Sequence, residues 1–145
     1  MGNLLTMKHF DDLLRNLNLR ITPKRRAVLD ILAGEEGYAS PEEVWRKLKL
    51  RFDRVGLPTV YRNLEELAVG GVITTIIHPN RQLYYYYCDR REHHHHFVCL
   101  SCRRVEEVDV CALPDLEKLV AGRVVSHIFQ ANGYCRECLA RQQGG

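Results

Sequence analysis

Two cysteine pairs, Cys99-Leu-Ser-Cys102 and Cys135-Arg-Glu-Cys138, stand 32 residues apart in a chain of 145. Each CxxC pair can turn both sulfurs onto one cation, and two pairs supply the closed four-thiolate tetrahedron of a structural zinc site. Any fold that uses them must bring the two segments together. The gap exceeds that of a simple zinc ribbon, so a small subdomain is expected between the pairs. Two redox motifs or buried thiols are the plainer alternative. The segment from Met1 to His9 lacks the apolar region of a secretory signal, so a cytoplasmic chain is expected. In that compartment, cysteines serve metal or redox chemistry before disulfides. No apolar run approaches the ~20 residues that span a bilayer, so no membrane partner is expected.

All six cysteines and five of the seven histidines lie from Cys88 onward. Four of those histidines are consecutive, His93 to His96, and run into Phe97-Val98-Cys99. If the run is a strand, alternate side chains leave on opposite faces. His93 and His95 then form one i, i+2 chelating pair, and His94 and His96 another. Cys88, Glu107, Glu117 and His127 are candidate further ligands. A set of Cys88, His94 and His96 is borderline-soft and suits Zn²⁺, whereas an Fe²⁺ or Mn²⁺ site draws on nitrogen and oxygen. The alternative for Cys88 is a buried strand residue after four tyrosines. Cys111 has no partner in this scheme.

The formal charge of +3 is unevenly spread. Residues 1–88 carry 13 basic and 10 acidic side chains, and residues 89–145 carry 8 of each. Between Leu13 and Leu29 there are five basic residues, Arg15, Arg20, Lys24, Arg25 and Arg26, and no acid. Such a stretch suits a polyanion, although a solvated basic helix face would look the same. The chain thus divides into a basic domain, 1–88, and a neutral, ligand-rich domain, 89–145.

Local patterns give the first domain its outline. Phe10, Leu13, Leu14 and Leu17 recur with helical period, predicting a helix over 7–18. Thr22-Pro23 reads as an N-cap with proline at the first helical position, and Gly34 as the stop. Ser40-Pro41-Glu42-Glu43 is a capping box that opens a third helix. A fourth begins at Leu57-Pro58-Thr59 and ends at Gly70-Gly71. Val72–Ile77 and Leu83–Cys88 read as strands joined by Pro79-Asn80-Arg81. Helices followed by a hairpin outline a winged helix, with the fourth helix as reader of double-stranded DNA. Its exposed face would offer Thr59, Tyr61, Arg62 and Asn63 to phosphates and base edges, unless Tyr61 and Arg62 merely pack and solvate.

In this order and spacing, Leu19-Arg20-Ile21-Thr22-Pro23-Lys24-Arg25, Thr59-Val60-Tyr61-Arg62-Asn63-Leu64, His93–Cys102 and Cys135–Cys138 resemble the ferric uptake regulator family of metal-dependent repressors. The resemblance runs from about Leu17 to Cys138. It implies an α+β chain, an N-terminal winged helix-turn-helix followed by a small C-terminal α/β dimerisation domain. It also implies a homodimer that binds palindromic, AT-rich operators when metal-loaded. By the same resemblance Arg20 and Arg25 belong to the DNA-binding segment, with Arg20 at the minor groove, and Tyr61 and Arg62 contact a base and the backbone. Iron and peroxide sensors of the family hold a histidine where this chain has Tyr38. The zinc uptake branch uses a cysteine at the end of the wing, matched by Cys88, and two histidines, matched by His94 and His96. That branch often has Asp or His at the position of Thr74, so His78 or Glu107 would complete the regulatory site. His93, His95, Glu117 and His127 match a third site. The expectation is a zinc-loaded repressor with a structural zinc on the four paired cysteines. The rivals are an iron- or manganese-loaded or peroxide-responsive relative and, from another class, a zinc hydrolase, for which no HExxH motif is present.

Overall fold

The computed structural model describes residues 4–90, 92–111 and 116–144. They form two compact units, Met1–Arg91 and Glu92–Gly145.

The first unit contains α1 (Leu4–Asn16), α2 (Pro23–Ala33), α3 (Pro41–Lys49), α4 (Leu57–Val69), β1 (Ile73–Ile77) and β2 (Leu83–Tyr87). Side chains close two of these helix starts. Thr22 accepts the Arg25 N–H and Ser40 accepts the Glu43 N–H, both at 3.1 Å, satisfying donors that the first helical turn leaves unpaired. The first helix starts three residues earlier than its apolar stripe indicates and ends at Asn16. Leu4 and Leu5 extend it although both are exposed, and Asn18 turns into the left-handed region at φ 57° to close it. Gly71 takes φ 80° between α4 and β1, a conformation that costs glycine little.

Phe10, Leu14, Val28, Leu32, Val44, Val60, Leu64 and Leu67 are buried in one core shared by the four helices. The strands β1 and β2 pair antiparallel, with Ile73 opposite Tyr87 and Ile77 opposite Leu83. Ala39, just before α3, exchanges two backbone hydrogen bonds with Tyr85, at 2.9 and 2.8 Å. That bridge fastens the hairpin to the helices. Helices, core and fastened hairpin together make a winged helix-turn-helix.

The second unit contains β3 (His95–Cys99), β4 (Val105–Val108), α5 (Leu116–Leu119), β5 (Gln130–Gly133) and α6 (Arg136–Gln143). The sheet order is β4-β3-β5, antiparallel on one side and parallel on the other. The central strand carries His95 and His96, the last two histidines of the run, and the first paired cysteine, while His93 and His94 lead into it. Among the described residues no helix is long and apolar enough to cross a membrane.

Candidate metal centres and nucleic-acid interface

Cys99 ends β3, Cys102 follows the turn after it, and Cys135 and Cys138 stand at the start of α6. Parallel pairing of β3 with β5, Cys99 opposite Gly133, brings the two cysteine segments side by side. The four sulfurs lie within 4.8 Å of one another. Cys99 and Cys138 are 3.8 Å apart and Cys102 and Cys135 3.7 Å. A tetrahedron with zinc–sulfur bonds of about 2.3 Å has edges of about 3.8 Å, so the donors already stand at coordination distance. Burial opposes charge on Cys99, yet N–H groups of Cys102, Cys135 and Ser101 aimed at its sulfur outweigh that and lower its pKa. The Cys135 N–H is 3.3 Å from that sulfur. Arg103 adopts φ 70° in the turn after Cys102, and Arg104 bridges to Glu137 at 2.6 Å, an exposed tie between the two cysteine segments.

The histidine run falls into two pairs, although the strand expected over it begins only at His95. His94 and His96 place their Nε2 atoms 3.2 Å apart, against about 3.3 Å for two nitrogens on one tetrahedral zinc. The other ring nitrogen of His94 meets the Glu92 carbonyl at 2.7 Å, the kind of contact that orients a ligating ring. Burial, and then the neighbouring His94, lower the pKa of His96, favouring the neutral imidazole that metals require. Glu107 sits opposite His96 in the β3–β4 register and partly offsets that shift. Cys88 is buried at the end of the hairpin in the first unit.

His78 does not share that end. It lies beyond Ile77 at the hairpin turn, roughly 15 Å of strand from Cys88. Its Nδ1 accepts the Asn80 N–H at 3.0 Å, and its ring packs on Tyr38 and Tyr84. The expected role of His78 as a fourth ligand therefore gives way to one in the wing turn.

His93 and His95 face the other way, with ring centroids 4.6 Å apart and those of His127 4.8 and 5.2 Å from them. The fourth side chain in this group is Cys111, whose sulfur lies 3.3 Å from His127 Nε2. Glu117, expected here, is on α5, where its carboxylate accepts the Val124 N–H at 3.0 Å, and it is outside the group. The Nε2 of His95 is buried without a hydrogen-bond partner among the described residues. Such an atom costs about 1–3 kcal/mol unless something fills its lone pair or takes its proton. Burial, then His93 and His127, lower the His95 pKa. Sequence reasoning missed Cys111, although an unassigned thiol among unassigned imidazoles was the available signal.

On the first unit, Thr22, Lys24, Thr59 and Arg62 line one concave surface where the start of α2 meets α4. Arg20 and Arg62 are exposed. Arg25 and Asn63, expected to face DNA, are 8% and 7% exposed and turn inward. The Arg25 guanidinium donates to Asn63 Oδ1 at 3.1 Å, to the Arg20 carbonyl at 2.8 Å, and to Glu66. Its donors are spent on holding α2 against α4 and on fixing the backbone of Arg20. Tyr61 is half-exposed, and its hydroxyl donates to Glu42 on α3 at 2.9 Å. That hydrogen bond raises the phenol pKa.

A winged helix followed in the chain by an α/β unit with metal-ligating clusters defines a metal-dependent DNA-binding regulator, and comparison with known proteins places it more narrowly. The ferric uptake regulator family model matches residues 16–131, and the chain belongs to that family as a metal-responsive transcriptional regulator. It is 30% identical over 136 residues to the ferric uptake regulation protein of Bacillus subtilis strain 168, covering 89% of this chain and 91% of that one. To the peroxide operon regulator of the same strain it is 23% identical over 140 residues, covering 94% and 95%. The fold is also that of a zinc uptake regulator solved with zinc and DNA, with a TM-score of 0.78 and 23% identity over 94% of this chain and 95% of that one.

Proposed function

We propose that this chain is a zinc-responsive repressor that binds palindromic, AT-rich operator DNA as a homodimer and controls metal-uptake genes. Cys99, Cys102, Cys135 and Cys138 would hold a structural zinc, and Cys88, His94 and His96 the regulatory ion. The reading rests on one observation, the nitrogens of His94, just before β3, and His96, on β3, 3.2 Å apart. Cys88 precedes His94 by six residues, and a thiolate beside two imidazoles favours Zn²⁺ over Fe²⁺ or Mn²⁺. Tyr38, at the position where iron and peroxide sensors hold histidine, is 3% exposed and packs on Tyr84, offering no nitrogen.

Cys88 belongs to the first unit and the two histidines to the second. A shared ion supplies a bond across the link between them. Loss of that bond frees the link, so metal and operator each favour the state the other prefers. A coupling of about 1–3 kcal/mol, roughly 5–150-fold in affinity, makes a working switch. Arg20, Thr59 and Arg62 serve as DNA contacts in this scheme, while Arg25 and Asn63 keep α2 and α4 in position. The test uses DNA selected from a random pool by the zinc-loaded protein, with binding titrated against free Zn²⁺, Fe²⁺ and Mn²⁺. Activation at the lowest free concentration by Zn²⁺, lost in Cys88→Ser while the protein keeps its structural zinc, is the expected result. Activation by Fe²⁺ alone would overturn it.

A further inference from the structure

We propose that Cys111 is a metal ligand and that His93, His95, Cys111 and His127 form a one-thiolate, three-imidazole site for a borderline-soft divalent ion such as Zn²⁺ or Co²⁺. Three observations meet in this cluster. Its four donor atoms lie within 4.8 Å of one another, drawn from β3 (His95) and the residues that lead into it (His93), the segment after β4 and the segment before β5. The Cys111 sulfur is 3.3 Å from His127 Nε2, against about 3.6 Å for sulfur and nitrogen on one tetrahedral zinc. His95 is 3% exposed, and its Nε2 is buried without a partner among the described residues.

The identity of the fourth donor sets which metal the site takes. With Glu117 as ligand the set would be nitrogen and oxygen, open to Mn²⁺ and Fe²⁺. Glu117 is instead engaged with the Val124 backbone, and the sulfur of Cys111 takes its expected place. One thiolate with three imidazoles makes a tetrahedral, zinc-type set. Binding requires the Cys111 thiol to release its proton as the metal–sulfur bond forms.

The site lies wholly in the second unit and does not depend on the zinc-sensing reading, so its test contains no DNA. Full-length Cys88→Ser protein, with zinc retained on the four paired cysteines, is titrated with Co²⁺ and followed by absorption. A near-ultraviolet thiolate-to-cobalt charge-transfer band is expected. That band should vanish in Cys88→Ser/Cys111→Ser and persist in Cys88→Ser/Glu117→Gln. The same band in both Cys88→Ser and Cys88→Ser/Cys111→Ser, or its loss in Cys88→Ser/Glu117→Gln, would overturn the proposal. A second readout needs no variant at Cys111. Added Zn²⁺ should slow carboxymethylation of Cys111 by iodoacetate, measured by peptide mass spectrometry, and His127→Ala should abolish that protection. An alkylation rate indifferent to Zn²⁺ would overturn it equally.

Discussion

Arg25 Nε donates to Asn63 Oδ1 at 3.1 Å across the α2–α4 interface, with both side chains almost fully buried. The same asparagine donates to the Thr59 carbonyl at 3.0 Å, so one side chain ties the guanidinium to the first turns of α4. Asn63→Ala leaves a buried guanidinium donor without its acceptor. The expected cost is about 2 kcal/mol in chemical denaturation of the metal-loaded protein. A loss of DNA affinity with unchanged stability would instead place Asn63 at the DNA surface.

Arg62 differs from Arg25 although both are arginines of the DNA-binding unit. It is exposed on the surface that also carries Thr22, Lys24 and Thr59. Arg62→Ala should leave the denaturation midpoint unchanged and lower the slope of log affinity against log salt by about 1, the signature of one lost phosphate contact. An unchanged slope with relaxed sequence preference would make Arg62 a reader of bases.

The helices of the first unit were legible because their signals are local. Thr22-Pro23 and Ser40-Pro41 announce helix starts within four residues, and those side chains do cap α2 and α4's neighbour α3. Alternation likewise predicts the two histidine pairs without knowledge of their surroundings, although only His95 and His96 lie on β3. Which basic and amide groups face inward was not legible, because Arg25 meets Asn63 and Glu66 across 38 and 41 residues of sequence. The place of His78 was legible, since strands over Val72–Ile77 and Leu83–Cys88 put it at the turn, at the opposite end of the hairpin from Cys88. Cys111 escaped because its partners depend on where the chain returns to β3. Sixteen residues separate it from His127, and no local pattern fixes that meeting.

Asp11 on α1 and Arg26 on α2 form a paired contact at 2.6 and 2.8 Å. Hydrogen bonding from Arg26 is the largest influence on the carboxyl and holds it below its ordinary value of 3.8. A depressed folded-state pKa means stability that is present above the unfolded value and lost as pH falls through the folded one. Wild type should therefore exceed Asp11→Asn in denaturation midpoint by a constant margin from neutral pH down to about pH 5. The margin should shrink below about pH 4 and close at lower pH. A margin that persists to the lowest pH would mean that the contact does not depend on the charge of Asp11.

His95 carries a stability cost that an ion at the proposed site would remove. Its Nε2 is buried and unpartnered among the described residues, while its ring packs against Phe129 at 5.6 Å between centroids. With zinc only on the four paired cysteines, His95→Leu should be more stable than wild type by about 1 kcal/mol, at the low end of the cost of an unsatisfied polar atom. Added Zn²⁺ should then raise the melting temperature of wild type more than that of the variant. Equal gains in the two proteins would show that His95 holds no ion.

The second unit exposes large apolar side chains, with Ile128 94%, Val125 90%, Leu119 80% and Val110 76% accessible. Burying one such side chain against a second copy contributes about 1.5–3 kcal/mol, so Ile128→Glu should weaken a homodimer at least tenfold, since each 1.4 kcal/mol changes an affinity by that factor. Leu50, 87% exposed at the end of α3 in the first unit, is the matched control, and Leu50→Glu should leave assembly unchanged. Sedimentation velocity across a concentration series distinguishes the two. A dimer that survives Ile128→Glu but dissociates in Leu50→Glu would move the interface from the second unit to the first.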